Sequence, residues 1–331
     1  MKAIALISGG LDSILAAKVM KQQGIEVIGV HFKIPFALRD KSDKRDFALK
    51  LCRIAGVELK TVVLGEEFLE IVSHPKHGRG ANMNTCIDCK ILMLKKAKEM
   101  MQNLDASFLV TGEVLGQRPM SQHNSALDLI AQEAGVEGLI LRPLSAKLLD
   151  ETFPQKQGWV RRENLLDFSG RCRQPQIELA KTFGINDYSQ PAGGCLLTDP
   201  QFSKRLKDLI EHGPYDLENV ELLKFGRHFR LSADAKLVVG RDEKENAEIE
   251  ELARQGDWLF LPPQDTAGPS ALGRGKFSEE QIKLCAGTTA RYCDLAGKTS
   301  LDISYRQLPS QESQTLNVAP VPDEESVKYR I

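Results

Sequence analysis

The stretch ALISGGLDSILAAKVM, residues 5–20, joins small apolar residues to a helical pattern through Ser-Gly-Gly-Leu-Asp-Ser. This pattern predicts a strand that enters a helix through a glycine turn. Adjacent glycines let the backbone come close to a ligand, and a helix N-terminus attracts anions. The stretch therefore predicts a phosphate-binding loop, and its candidate nucleotide ligands are Ser8, Gly9, Gly10, Asp12 and Ser13.

This loop differs from the usual P-loop, which ends in Gly-Lys-Ser/Thr. No lysine follows the glycines here, so nothing marks the site for transfer of a terminal phosphoryl group. Asp12 is expected either to hold Mg²⁺ or to start the helix. The alternative interpretation of the same residues is a glycine turn with an aspartate cap and no ligand.

Strands and helices alternate through the first half of the chain. The apolar segments AIALIS, EVIGVHF, ELKTVVL and SFLVTGEV are separated by segments of helical periodicity. This alternation predicts an α/β fold with a parallel sheet covered on both faces. Ligands of such sheets bind beyond the carboxyl ends of the strands, where we place Ser8, His31 and Thr111.

The length and composition predict a soluble protein with more than one domain. The chain has 331 residues, 42% hydrophobic and 27% charged, and begins directly with a strand. It holds no apolar run of membrane-spanning length and no charged leader, so we expect a cytoplasmic protein. We place a domain with the phosphate-binding loop at 1–150, a helical extension at 151–212 and a second module at 213–331, whose end from residue 309 is a polar, extended or mobile tail.

The net charge of −1 argues against a nucleic-acid partner, but the charge is unevenly spread. Residues 213–331 hold 15 basic against 20 acidic side chains, which leaves 29 against 25 for residues 1–212. Within that half, residues 156–173 carry five basic and two acidic side chains. Such a patch is typical either of a phosphate-binding surface or of a solvated helix face.

Three of the seven cysteines form a candidate sulfur or metal site. Cys86 and Cys89 form a Cys-x-x-Cys pair placed just ahead of a helix, where thiol pKa values are expected to be lowered. Cys195 follows two glycines in a loop that is free to approach another element. Three thiolates suit a zinc site completed by a histidine, or an iron–sulfur cluster with one open iron.

The motif SGGxDS after the first strand resembles the signature of the PP-loop ATP pyrophosphatases, which have the adenine-nucleotide α-hydrolase (HUP-type) fold. The resemblance implies that the loop holds the β,γ-pyrophosphate of Mg-ATP while a nucleophile attacks the α-phosphorus. It also implies that Asp12 takes part in catalysis. Further candidate nucleotide contacts are His31, Gly112, Gln117 and Arg118.

The pair LVTGEVLGQRPMSQ (109–122) and LILRPLSAKLLDE (139–151) resembles the motifs of tRNA 4-thiouridine synthases. The arrangement NxNxCxxCK…GGCLLT resembles tRNA 2-thiouridine synthases and cluster-dependent thiolases. The resemblance implies tRNA thiolation, with 4-thiouridine favoured over 2-thiouridine, and a sulfur donor as a second partner. In contrast to the usual 4-thiouridine synthases, we find no THUMP-type domain and no rhodanese domain.

Two routes for sulfur follow from this resemblance. In the favoured one, Cys86, Cys89 and Cys195 hold a [4Fe-4S] cluster whose open iron binds hydrosulfide. In the other, Cys195 carries a persulfide that Cys86 resolves, without a metal. Catalytic roles are therefore expected for Cys86 and Cys195.

Residues 225–275 resemble the RNA-binding module of the NFACT family through the pattern Gly-Arg…Val-Gly-Arg-Asp-x-x-x-Asn and a late Gly-Pro-Ser. The implied RNA contacts are Arg227, His228, Arg241 and Arg274, for which a structural role is the alternative. Two other functions stay open at this point. One is a PP-loop synthetase that uses ammonia, and the other is a non-catalytic RNA-binding adaptor.

Overall fold

The computed structural model describes residues 1–37, 44–188 and 195–331, without the side chains of residues 44–47. Two of the residues in the predicted GGCLLT motif, Gly193 and Gly194, lie outside the described residues. The chain divides into two compact units, Met1–Thr198 and Asp199–Ile331.

The first unit is built on a five-stranded parallel sheet with the strand order β3-β2-β1-β4-β5. Its strands are β1 Lys2–Leu6, β2 Glu26–Lys33, β3 Glu58–Val63, β4 Phe108–Thr111 and β5 Ile140–Leu141. Its helices are α1 Leu11–Gln22, α2 Lys44–Ala55, α3 Glu66–Ser73, α4 Cys86–Asn103, α5 Asn124–Glu133, α6 Phe153–Lys156 and α7 Gln174–Thr182. The predicted α/β fold with a parallel sheet is confirmed.

The centre of this sheet is covered on both faces. Side chains that follow one another in a strand point to opposite faces. In β1, the consecutive residues Ala3, Ile4 and Ala5 are all buried, so neither face is open to solvent. The apolar residues of α1, including Ile14, Leu15 and Met20, are also fully buried in this unit.

The second unit is an α+β domain, as the sequence predicts, with an antiparallel sheet in the order β11-β10-β8-β9-β7-β6. Its strands are β6 Arg227–Ser232, β7 Ala235–Val239, β8 Trp258–Leu261, β9 Ala271–Gly275, β10 Leu301–Gln307 and β11 Gln314–Val318. Its helices are α8 Pro200–His212, α9 Leu217–Leu222, α10 Glu243–Glu251, α11 Glu279–Arg291 and α12 Asp323–Tyr329.

The boundary between the units lies before α8, whereas the sequence analysis places it near residue 213. The physical reason is a buried ion-pair cluster that ties α8 to the second sheet. Asp208 of α8 is 7% exposed and accepts hydrogen bonds from Arg230 of β6 and Lys236 of β7. Gly213 and Pro214 end α8, but they do not mark the boundary between the two units.

Of the two alternatives predicted after residue 309, an extended or a mobile tail, the mobile one is wrong. Residues 314–318 form β11, which pairs antiparallel with β10. Val318 and Val321 are buried, and Arg291 of α11 pairs with Asp323 and donates a hydrogen bond to the carbonyl oxygen of Val321 (2.9 Å). The polar composition reflects an edge strand and an outer helix rather than a segment without structure.

Among the helices that the structure describes, none is both long enough and apolar enough to span a membrane.

Candidate active site

The candidate nucleotide site lies where the strand order of the parallel sheet reverses. β1 pairs with β2 on one side and with β4 on the other, so the loops after β1 and β4 diverge from adjacent strands. Ligands of open parallel sheets bind at such a crevice. The Ser-Gly-Gly loop follows β1, and the segment that begins with Gly112 follows β4, which ends at Thr111. The predicted phosphate loop therefore stands at the expected position.

The loop after β1 is shaped by its own hydrogen bonds. Gly9 has φ +79°, a conformation that favours glycine. The Ser13 hydroxyl donates to the carbonyl oxygen of Gly10 (2.8 Å) and accepts from the backbone N–H of Ser8 (3.3 Å). Gly10 caps α1, and within the described residues no side chain caps this helix end. The first N–H groups of α1 are thus suited to an anion, while Ser13 holds the loop in shape.

Asp12 is placed to act on a cation or on the nucleotide. Its Oδ2 accepts a hydrogen bond from Gln117 (3.3 Å), whereas its Oδ1 is buried and has no partner among the residues described. Burial raises the pKa of Asp12, and the positive charges of Arg173 and Arg118 partly offset this effect. A buried carboxylate oxygen without a donor is a suitable ligand for Mg²⁺. The residues present therefore fit this ion.

Gly112 brings the loop after β4 directly against the start of α1. A Cβ atom on Gly112 would lie 2.4 Å from the carbonyl carbon of Asp12 and 2.4 Å from the backbone nitrogen of Ser13. Both of these atoms belong to a helix packed into the core. Only glycine fits here, so Gly112 acts through close backbone approach and not through a side chain.

The sequence predicts that His31 lies at the end of β2. In the structure it lies inside this strand, which continues to Lys33. Its Nδ1–H donates to the carbonyl oxygen of Ile7 (2.8 Å), the residue between β1 and the glycine loop. His31 therefore supports the strand that leads into the loop. Thr111 is the last residue of β4, as expected.

Of the three predicted cysteines, Cys86 and Cys195 lie near enough to Cys89 to affect the pKa of its thiol. Desolvation raises the pKa of the Cys89 thiol, and the nearby sulfurs of Cys195 and Cys86 raise it further. The predicted lowering of this pKa is therefore wrong for Cys89, because these effects outweigh the helix N-terminus and the charge of Lys90. α4 also begins at Cys86 itself, so both cysteines of the pair lie inside its first turn. The Cys86 thiol donates to Oδ1 of Asn84 (2.9 Å).

The cysteine trio offers the donor set of an iron–sulfur cluster. In the described ranges 1–37, 44–188 and 195–331, no group of three or more His, Cys, Asp or Glu side chains is arranged to hold a metal ion. Side chains that bind a single metal ion such as zinc must all point at that ion. The protein ligands of a cubane bind different irons and need no such convergence. The three cysteines therefore match a cluster in donor type, while among the described residues they are not arranged as a metal site.

A buried ion-pair cluster connects the cysteine helix to the nucleotide loop. Glu113, 8% exposed, accepts hydrogen bonds from Lys90, from Arg142 Nε (2.9 Å) and from the Thr111 hydroxyl (3.1 Å). Burial alone would raise the pKa of Glu113, but the charges of Lys90 and Arg142 lower it to about 2. Lys90 follows Cys89 in the chain, and Glu113 follows Gly112. The sequence analysis assigned no role to this cluster, since its members are far apart in the sequence.

Replacing Glu113 with glutamine should lower the free energy of unfolding by about 3 kcal/mol at pH 7, because two buried cations lose their counter-charge. A glutamate whose pKa is lowered on folding stabilises the protein above its unfolded pKa, and this contribution is lost as the pH falls from 4.5 toward 2. The difference in the free energy of unfolding between wild type and variant should therefore become smaller in that pH range. Denaturant titrations at several pH values measure this, and the exposed Glu137→Gln is the control. Equal stabilities at pH 7 would contradict the expectation.

The four RNA contacts predicted in the second unit are mostly occupied by contacts within the protein. Arg227 donates to the carbonyl oxygen of Gly240 (2.9 Å) and lies over the ring of Tyr292. Arg241 pairs with Glu245, and Arg274 makes a two-pronged pair with Asp257. Each of these arginines thus has a structural contact, and its contact with RNA stays a prediction. His228 is buried and differs from them, as described below.

Two protein families match separate parts of the chain. Residues 1–150 match the family described as thiamine biosynthesis protein (ThiI), and residues 226–330 match the family described as NFACT protein RNA binding domain.

Curated relatives match the first part. A probable tRNA sulfurtransferase of Thermococcus kodakarensis is 33% identical over 143 residues, which cover 43% of this chain and 36% of the relative. A probable tRNA sulfurtransferase of Methanocaldococcus jannaschii is 34% identical, with 43% and 36% covered. The chain thus spans about a third of the length of these relatives.

Among solved structures, a 4-thiouridine synthetase–RNA complex with bound ATP is similar at 19% identity and a TM-score of 0.38, covering 67% of this chain and 52% of that one. The chain is thus similar to the ThiI family over residues 1–150 and to NFACT RNA-binding domains over residues 226–330.

Proposed function

We propose that the chain is an ATP-dependent tRNA sulfurtransferase, which adenylates a uridine carbonyl oxygen and replaces it with sulfur. One observation carries this proposal: a continuous series of contacts joins the thiols to the nucleotide loop. Lys90, next to Cys89, pairs with Glu113. Glu113 adjoins Gly112, which lies against the backbone of Asp12. A phosphate site and a sulfur site are thus held in one rigid arrangement.

The reaction consists of two displacements. The uridine carbonyl oxygen attacks the α-phosphorus of ATP, and the bond to the β-phosphate oxygen breaks to release pyrophosphate. A sulfur nucleophile then attacks the activated ring carbon, and AMP leaves with the former carbonyl oxygen. Adenylation addresses the main barrier, because a carbonyl oxygen is a poor leaving group in water at neutral pH.

The residues after β1 are proposed to hold the pyrophosphate part of ATP. The backbone of Gly9 and Gly10 and the uncapped start of α1 face the anion, with the hydroxyl of Ser8 at the exposed edge. Asp12 would hold Mg²⁺, which neutralises the departing pyrophosphate. Arg118 and Arg173, whose charges act on Asp12, are suited to the same phosphates. Arg173 belongs to the basic patch 156–173 that the sequence indicates.

Sulfur chemistry is assigned to Cys86, Cys89 and Cys195, with a [4Fe-4S] cluster favoured over a persulfide. When bound, the cluster supplies an iron that takes up sulfide. The chain would contribute three thiolates, and the hydrogen bond from the Cys86 thiol to Asn84, which positions the free thiol, would be lost when that thiol gives up its proton. A sulfur donor is the second partner in either route.

The RNA partner is proposed to be tRNA. The family match of residues 226–330 to RNA-binding domains supports an RNA partner, and the names of the curated relatives support tRNA. We assign ATP binding to residues 1–150, completion of the site through Cys195 to the rest of the first unit, and RNA binding to the second unit, Asp199–Ile331. We favour sulfur at C4 of uridine because residues 109–122 and 139–151 resemble the motifs of 4-thiouridine synthases.

Asp12→Ala should lower tRNA-dependent release of pyrophosphate from ATP by about a hundredfold, because the cation loses its carboxylate ligand. The measurement is a pyrophosphate assay with bulk tRNA and with tRNA omitted. Asp128→Ala is a matched control, since Asp128 is an exposed carboxylate on α5. Mass spectrometry of the tRNA nucleosides then distinguishes 4-thiouridine from 2-thiouridine.

Two results would contradict the proposed function. Release that depends on ammonia and not on tRNA would indicate an amide-forming synthetase. RNA binding without any release of pyrophosphate would indicate an adaptor with a vestigial nucleotide site.

A further inference from the structure

The second unit contains a cavity of about 290 Å³ between α8, α9 and the first two strands of its sheet. One part of its wall is apolar and another is basic. The apolar part is formed by Leu209, Leu222, Leu223 and Val238, and the basic part includes Arg230 and Lys236. At the small end of the range for ligand sites, this volume suits a single nucleoside-sized group.

The cavity wall carries charges of both signs: Arg230, Lys236, Arg254 and Arg274 are basic, and Asp234 and Asp257 are acidic, with Asp257 paired to Arg274. The ion pairs of Arg230 and Lys236 go to a single carboxylate, that of Asp208, among the residues the structure describes. Arg230 makes two hydrogen bonds to it (2.9 and 2.7 Å), and Lys236 makes one (3.3 Å). Lys236 is only 8% exposed. A buried cation that shares its counter-charge is stabilised by a further anion.

The pKa of Lys236 agrees with this geometry. Burial lowers the pKa of Lys236 to about 8. The charges of Arg230 and Arg205 also lower it, whereas the carboxylate of Asp208 raises it. A phosphate at the cavity wall would favour the charged amine. An RNA strand supplies such a phosphate at every nucleotide.

His228 adds a buried nitrogen atom that accepts no hydrogen bond from the described residues. It is 1% exposed and lines the cavity, and its Nε2–H donates to the carbonyl oxygen of Phe225 (2.7 Å). Burial and then the charge of Lys236 lower its pKa well below the ordinary value, so the ring is neutral and Nδ1 is an acceptor. Nδ1 is buried, and in the described part of the chain no group donates to it. A ligand that carries both an anion and an N–H or O–H group suits the two polar features together.

We propose that this cavity binds one nucleotide of an RNA strand, with the phosphate beside Arg230 and Lys236 and the base against the leucines of α8 and α9. A donor of the base or of the ribose would satisfy Nδ1 of His228. The inference rests on the RNA partner of the proposed function, and it specifies where one unit of that RNA binds.

The test measures the binding of a short, labelled single-stranded RNA to the full chain by fluorescence anisotropy at several salt concentrations. Lys236→Met should weaken binding about tenfold and should lower the slope of log affinity against log salt by about 0.7, the value for one lost phosphate contact on a single strand. Lys283→Met, which removes an exposed charge from α11, is the matched control and should change neither. A purely structural role of Lys236 would not change the salt slope.

A second measurement needs no variant. RNA containing 5-bromouridine is photocrosslinked to the wild-type chain, and the adducts are mapped by mass spectrometry. Adducts through the base within residues 209–238 support the site. Adducts confined to residues 1–198, or an unchanged affinity and slope in folded Lys236→Met, overturn it. Because neither measurement uses ATP, failure of pyrophosphate release with intact RNA binding would overturn the proposed function and leave this inference standing.

Discussion

Gly112→Ala should lower ATP-dependent pyrophosphate release by more than a hundredfold and should destabilise the protein by about 3 kcal/mol. The added Cβ would lie 2.4 Å from backbone atoms of Asp12 and Ser13, far inside van der Waals contact. Neither the loop after β4 nor the start of α1 can move away without a large cost in free energy. Gly112 follows a buried central strand, and the start of α1 is anchored by Leu11 and Ile14, both fully buried. Overpacking of this kind costs 1–3 kcal/mol, and a 1 Å displacement of a reacting group costs about a hundredfold in rate.

Gly10→Ala is the matched control for stability. At Gly10 the same added atom would meet only the Ser8 hydroxyl at 3.4 Å among the described atoms, and the backbone has φ −87°, which any residue adopts. Thermal unfolding should therefore separate the two variants, with a clearly lower midpoint for Gly112→Ala alone. A Gly112→Ala protein with the midpoint and pyrophosphate release of the wild type would contradict the assignment of the site to this crevice.

The fold of the first unit follows from local signals in the sequence. Consecutive apolar residues in β1 predicted a strand buried on both faces, and the glycine pair after it predicted the loop at its carboxyl end. Both signals are local, because they concern one strand and the residues that follow it. The position of the Ser-Gly-Gly loop at the carboxyl end of β1 could therefore be predicted.

The parts that could not be predicted depend on contacts between distant segments. The role of Gly112 depends on a loop more than 90 residues from the glycine pair, and the Lys90–Glu113–Arg142 cluster joins three segments. The raised pKa of Cys89 depends on its neighbours and on desolvation, which helix position alone does not indicate. Pairing of β11 with β10 likewise overrides a polar composition. In each case the decisive energy comes from tertiary packing.

Cys195→Ser should abolish tRNA thiolation while tRNA-dependent pyrophosphate release continues. The thiol contributes to sulfur transfer in both proposed routes, whereas adenylation uses the loop after β1. Nucleoside mass spectrometry and the pyrophosphate assay measure the two steps separately. Cys172→Ser is the control, because Cys172 is an exposed thiol. Loss of both steps in a folded Cys195→Ser protein would contradict the separation of the two sites.

Cys89→Ser decides between the two routes for sulfur. With a cluster, Cys89 is one of three ligands, so its loss should remove iron from an anaerobic preparation and abolish thiolation as Cys195→Ser does. With a persulfide, Cys86 attacks the persulfide of Cys195, sulfide leaves, and an external thiol reduces the resulting disulfide. Cys89 has no part in that sequence, and thiolation should stay within a few-fold of the wild type.

The raised pKa of the Cys89 thiol helps to separate the two routes. Desolvation and two neighbouring sulfurs raise the pKa of its thiol, so at neutral pH the free thiol keeps its proton. A protonated thiol is a poor nucleophile, but coordination to a metal removes the proton outright. As a free thiol, Cys89 is therefore poorly suited to act as an attacking group. If Cys89→Ser retains thiolation and the wild type prepared without oxygen contains no iron, the cluster is excluded and Cys195 remains as the sulfur carrier.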